Sequence, residues 1–123
     1  MQPIRQIVID FIPHRQQRYP TCGDWFYEGD VLHIKVSATA DERHQRLVAA
    51  HELVEALLCN AADVSQEAVD AFDMGTFLRD PGNSPDAPYH MQHELATVIE
   101  RSLALATNVD WSEYEAALDA LGE

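Results

Sequence analysis

His51-Glu52-Leu53-Val54-Glu55 is the one run in the chain whose residue types and spacing suit chemistry. On a helix, residues four apart share a face, so His51 and Glu55 would point the same way. An imidazole nitrogen and a carboxylate oxygen both bind zinc at about 2.0–2.2 Å. Glu52 lies about 100° further round, where it would approach a water on the metal rather than the metal itself. That is the logic of H-E-x-x-H, in which the glutamate is the general base. Here Glu55 occupies the place of the second histidine.

A two-ligand site is incomplete, so a third donor must come from elsewhere in the chain. His93, in the run PYHMQHELA, is the first candidate and His90 the second. His93 shares a helix face with Thr97 and Glu100, which makes Glu100 an extra ligand or an outer hydrogen-bond acceptor. Asp70 and Asp73 rank below these. Cys59 continues the series from His51 and Glu55, but eight residues span about 12 Å of helix, too far for one ion. The expected set is therefore His51, Glu55 and His93 around Zn2+, with Glu52 catalytic. Two histidines and a carboxylate also suit other divalent ions, including iron.

These residues need elements to hold them. Residues 3–12 (PIRQIVIDFI), with Ile7, Ile9 and Phe11 alternating, predict a strand. DWFY and VLHIKVS flank Glu28-Gly29-Asp30 and predict a hairpin, its second arm burying Leu32, Ile34 and Val36. His33, on the polar side of that arm, is expected at the surface. Thr39-Ala40-Asp41-Glu42 has the T-x-x-E form of a capping box. It would open a helix running to about Cys59, with Leu47, Val54 and Leu57/Leu58 as its apolar stripe. Ser65 caps a shorter helix carrying Val69 and Phe72. Residues 75–88 form a loop with two glycines and three prolines. A helix follows from Pro88 or Tyr89, with Leu95, Val98/Ile99, Ser102 and Ala106 on one face. Asp110-Trp111-Ser112-Glu113 caps a last one that buries Trp111, Tyr114, Leu118 and Leu121. The fold class is α+β: a small N-terminal sheet of about three strands, then three or four helices, as a single domain over 1–123.

Charge restricts function further. Eight Lys and Arg stand against 21 Asp and Glu, a net charge of −13. Residues 1–50 balance six bases with six acids; residues 51–123 carry 15 carboxylates and only Arg79 and Arg101. Binding of a nucleic-acid backbone, which needs clustered Lys and Arg, is excluded as a main activity. No apolar run approaches the roughly 18 residues of a membrane span. QIVIDFIP, broken by Asp10, has no signal-peptide pattern, so a cytoplasmic protein with Cys22 and Cys59 as reduced thiols is expected.

The hairpin ending in HIKVS and the helix RLVAAHELVEALLC resemble the core of minimal zincin metallopeptidases, over roughly residues 24–60. They also resemble small phage and prophage proteins that keep this strand–helix arrangement with HExxE. The resemblance implies a zincin-like fold, His51 as first ligand, Glu52 as general base and a peptide or protein substrate, with Glu55 where the family has histidine. The leading expectation is thus a zinc metallohydrolase, peptidase-like. The competing one is a non-enzymatic acidic protein that engages a basic host partner or mimics nucleic acid. An all-α nucleotide pyrophosphohydrolase, in which Glu52 and Glu55 bind magnesium, ranks last because the N-terminal strands do not suit it.

Overall fold

In the computed structural model, which describes residues 1–76 and 80–122, three strands precede four helices. The strands are β1 (Gln6–Ile12), β2 (Gly23–Glu28) and β3 (Val31–Ser37). The helices are α1 (Glu42–Ala61), α2 (Gln66–Met74), α3 (His90–Ala106) and α4 (Trp111–Leu121). Single 3₁₀ turns cover His14–Gln16 and Pro81–Asn83. This is the expected α+β order. Residues 77–79, part of the expected loop, lie outside the described residues.

The sheet is mixed, in the order β1-β3-β2. β3 pairs antiparallel with β2 through the hairpin and parallel with β1. Gly29 takes the left-handed conformation (φ 61°) that the tight turn requires, which a residue without Cβ adopts at no steric cost. Leu32, Ile34 and Val36 are fully buried, as the alternation predicts, and Trp25 joins them from β2. α1 lies over β3 and β2, and α3 packs along α1.

β1 starts at Gln6, later than expected, and its apolar side is not core. Ile7, Ile9 and Phe11 sit in register with Leu32, Ile34 and Val36, on the same side of the sheet, yet remain exposed. The helix layer covers β2 and β3 but does not extend over this edge. His33 is half-buried rather than at the surface, its ring stacked on Phe26 at 5.3 Å.

The start of α1 also differs. Asp41, not Thr39, is the N-cap, its carboxylate accepting from the Arg43 N–H at 2.9 Å. Thr39 gives its own N–H to Gln45 Oε1. Asp41 wins because a carboxylate caps at least as well as threonine and stands one residue before the first helical one. Ser65 and Asp110 cap α2 and α4 as expected.

The apolar stripes of α1 and α3 are both displaced from expectation. In α1 Leu47 is buried, but Val54 and Leu58 are half-buried and Leu57 is exposed; the inward face carries Val48, His51, Glu55, Ala56 and Cys59. In α3 the inward face is His93, Ala96, Glu100 and Ala104, while Leu95, Val98, Ile99, Ser102 and Ala106 face solvent. In both helices the polar ligand-type residues turn inwards. Hydrogen bonding between the helices offsets the cost of burying them.

Candidate metal centre

His51 and Glu55 do share one face of α1, and His93 of α3 meets them there. His51 Nε2 lies 3.1 Å from Glu55 Oε2 and 3.1 Å from His93 Nδ1. His93 Nδ1 lies 2.9 Å from Glu55 Oε2. Donor atoms of a tetrahedral zinc at about 2.0–2.2 Å are about 3.3 Å apart, so the triangle is close to one coordination face. The three residues are 7%, 5% and 8% exposed.

Each corner of the triangle has an outer partner. The Nδ1–H of His51 donates to Glu100 Oε1 at 2.8 Å, and the Tyr114 hydroxyl donates to Glu100 Oε2 at 2.5 Å. The Trp25 indole N–H donates to Glu55 Oε1 at 3.1 Å, leaving Oε2 to face the histidines. His93 Nε2 lies 3.5 Å from Asp80 Oδ1. A metal-bound histidine characteristically gives its other N–H to a carboxylate, which fixes its tautomer and raises its basicity. The arrangement is therefore deeper than three donors.

The electrostatics without an ion point the same way. Burial disfavours charge on His51, but Glu100 and Glu55 outweigh it and raise its pKa to about 11. For His93, burial is likewise outweighed, here by Asp80 and Glu55, and the pKa rises to about 9. Burial would raise Glu55, but hydrogen bonds from both histidines bring it down to about 2. Two cationic rings with 4.6 Å between centroids then converge on a single carboxylate oxygen. A divalent ion, if held here, would relieve that contact between like charges.

Glu52 points elsewhere, towards the start of β2. A Cβ placed on Gly23 would stand 2.6 Å from Glu52 Cγ and 2.7 Å from its Oε1, so only glycine leaves room for this side chain. Burial, then the neighbouring Glu55 charge, pushes the Glu52 carboxyl well above its ordinary pKa. It makes no hydrogen bond or ion pair among the described residues.

The remaining candidates are placed outside the triangle. His90 turns back to the Gly82 carbonyl (2.8 Å) and Glu94 (3.0 Å). Asp70 binds the Arg18 guanidinium, and Asp73 accepts from the hydroxyls of Tyr19 and Tyr89. Cys59 is fully buried, and burial raises its thiol to about 12. Glu100 is an outer acceptor, but for His51 rather than for a histidine on its own helix. No family model, curated protein or solved structure matches the chain. The site therefore rests on its own geometry.

The sequence assigns no site role to Asp80 or Gly82 and marks Trp25 and Tyr114 only as core aromatics. Gly82 matters because a Cβ there would lie 2.4 Å from His93 Cγ and Nδ1. Its place in the Gly- and Pro-rich run before His93 is the only signal that could have marked it.

Proposed function

We propose that the protein is a metal-dependent hydrolase, of peptidase-like type, holding one zinc or similar divalent ion on His51 Nε2, Glu55 Oε2 and His93 Nδ1. The observation that carries the reading is the triangle of donor atoms 2.9–3.1 Å apart, backed by Glu100, Trp25 and Asp80. Three protein donors of mixed His and carboxylate type leave a coordination position free, as catalytic zinc sites do and structural ones do not. Zinc held there would lower the pKa of a coordinated water towards neutrality.

The chain's own residues divide the remaining work. Glu100 holds the His51 imidazole in the tautomer that presents Nε2 inwards, and Asp80 stands 3.5 Å from the outer nitrogen of His93. Trp25 fixes which oxygen Glu55 presents. Glu52, next in sequence to His51 and without a hydrogen-bond partner among the described residues, is our candidate to take a proton. That requires its side chain to turn from Gly23 towards the triangle. Burial and the Glu55 charge raise the pKa of Glu52, so it holds a proton more readily than an ordinary carboxylate.

Burial of all three donors supports a second reading, a structural ion that clamps α3 to α1. Elemental analysis of protein purified without chelator or metal-affinity tag decides whether there is a metal. About one zinc, iron or manganese per chain is expected, lost in His51→Ala and His93→Ala. No metal after reconstitution would overturn both readings. Digestion of a broad peptide library separates them, since a structural ion gives no cleavage.

A further inference from the structure

The face that α3 turns to solvent has the pattern of a helix–helix seam. Met91, Leu95, Val98, Ser102 and Leu105 follow one another at spacings of four, three, four and three, with Ile99 and Ala106 alongside. Met91 is 68% exposed, Leu95 48%, Val98 60%, Ile99 46% and Leu105 83%. A 4-3 repeat is the seam of two helices packed side by side, and a contiguous apolar patch of this kind marks an interaction site. His93 and Glu100 lie on the opposite side of the same helix, buried against α1.

The flanking charges say which partner fits. Residues 51–123 hold only two basic residues, and one of them, Arg101, borders this seam. Arg101 is exposed, rests over the Trp111 ring at 4.4 Å and has no carboxylate partner among the described residues. Glu94 stands one heptad before it, in the same flanking position, and its side chain is 64% exposed. When two such helices run antiparallel, like flanking positions face each other across the seam. Glu94 then meets Arg101 of the partner subunit twice, once on each side of a two-fold axis. In a parallel pair the same positions would face Ile99 and Ala106, and neither charge would be matched. A self-complementary patch is what a two-fold homodimer requires.

We propose that the partner of this face is a second copy of the chain, docked antiparallel along α3 so that Leu95 packs on the partner's Val98 and Glu94 pairs with the partner's Arg101. Within the acidic half of the chain, residues 51–123, this face pairs Glu94 with Arg101, whereas other faces of that half would set carboxylate against carboxylate. Dimerisation covers the apolar stripe and leaves the donor triangle, on the inner side of α3, untouched. The proposal stands apart from the metal readings.

Sedimentation equilibrium of the full chain tests it. The wild type should have twice the chain mass at roughly 100 μM, a concentration at which even a micromolar dimer is almost fully formed. Val98→Asp and, as a second variant, Leu105→Asp alter exposed side chains and should yield folded monomers with unchanged circular dichroism. Glu94→Arg should also dissociate the dimer, since it sets Arg against Arg at both pairs, and Glu94→Arg with Arg101→Glu should restore it. A wild type that stays monomeric overturns the proposal, as does a dimer that survives both aspartate variants. Failure of the double reversal to recover the dimer overturns the antiparallel pairing.

Discussion

Glu100 of α3 accepts the Nδ1–H of His51 of α1 at 2.8 Å, and this bond ties the two helices together behind the donor triangle. Tyr114 of α4 secures the other Glu100 oxygen. His51 therefore has one nitrogen committed to a proton and the other directed at Glu55 and His93. A carboxylate so placed tunes whatever His51 binds, without touching it.

Glu100→Gln should consequently weaken metal binding while leaving the fold largely intact. The amide keeps the shape, and its oxygen still accepts from His51 Nδ1, but the charge that strengthens the imidazole as a donor is gone. Loss of outer partners of this kind typically costs 10–100-fold in metal affinity. Competition against a chromophoric chelator would measure it. Equal affinity in variant and wild type would mean that His51 is not a ligand held by Glu100.

Metal affinity should rise with pH. Without metal, both histidines titrate above their ordinary value of 6.5, His51 near 11 and His93 near 9. Their raised values stabilise the metal-free fold below about pH 6.5, and that stability is lost as pH rises through 9 and then 11. Coordination needs neutral imidazoles, so binding near neutral pH displaces protons, on the order of one or two per ion. The apparent dissociation constant should fall steadily from pH 6 to 9, and calorimetry in buffers of different ionisation enthalpy should detect the proton release. A constant that does not change over this range would exclude the histidines as donors.

Gly82→Ala should abolish binding without altering any ligand. The added methyl would meet the His93 ring at 2.4 Å and force it out of the triangle. The Gly82 residue adopts no left-handed conformation, so alanine strains nothing in the backbone itself. Helix content and the core of α1 on the sheet should remain, with metal content near zero. Full occupancy in this variant would show that His93 reaches the ion from another direction.

What the sequence made legible follows from local geometry. His51 and Glu55 could be paired because four residues on a helix always bring side chains to one face. Ser65 and Asp110 could be placed because a cap bonds within a few residues. His93 could be named by type, but its meeting with His51, 42 residues away, is set by the packing of α3 on α1. Trp25, Asp80 and Tyr114 are outer partners from three other parts of the chain, and no spacing rule connects them to the motif. The reversed face of α3 has a different cause. Periodicity shows that a helix has two faces, and the apolar one is ordinarily taken as the inner. Here hydrogen bonding of His93 and Glu100 across the interface holds the polar face inwards and leaves Leu95, Val98 and Ile99 outside.

Glu52 is where a catalytic ion and a structural one give different outcomes. Its carboxylate supports none of the donor contacts, so Glu52→Gln should keep the metal. The substitution removes an ionisable group whose charge burial, Glu55 and Asp24 all disfavour, so the melting temperature should be unchanged or slightly higher. A glutamine of the same shape cannot take a proton. Removal of a general base typically costs 10²–10⁴-fold in rate. The variant should therefore hold stoichiometric metal while peptide cleavage falls by that factor. Gly23→Ala offers a check from the other side of the contact, because its methyl displaces Glu52 without changing it. Both variants should lose turnover and retain the ion. Cleavage at the wild-type rate by Glu52→Gln would assign the base to another residue, and metal loss in that variant would make Glu52 a fourth ligand and the site a closed, structural one.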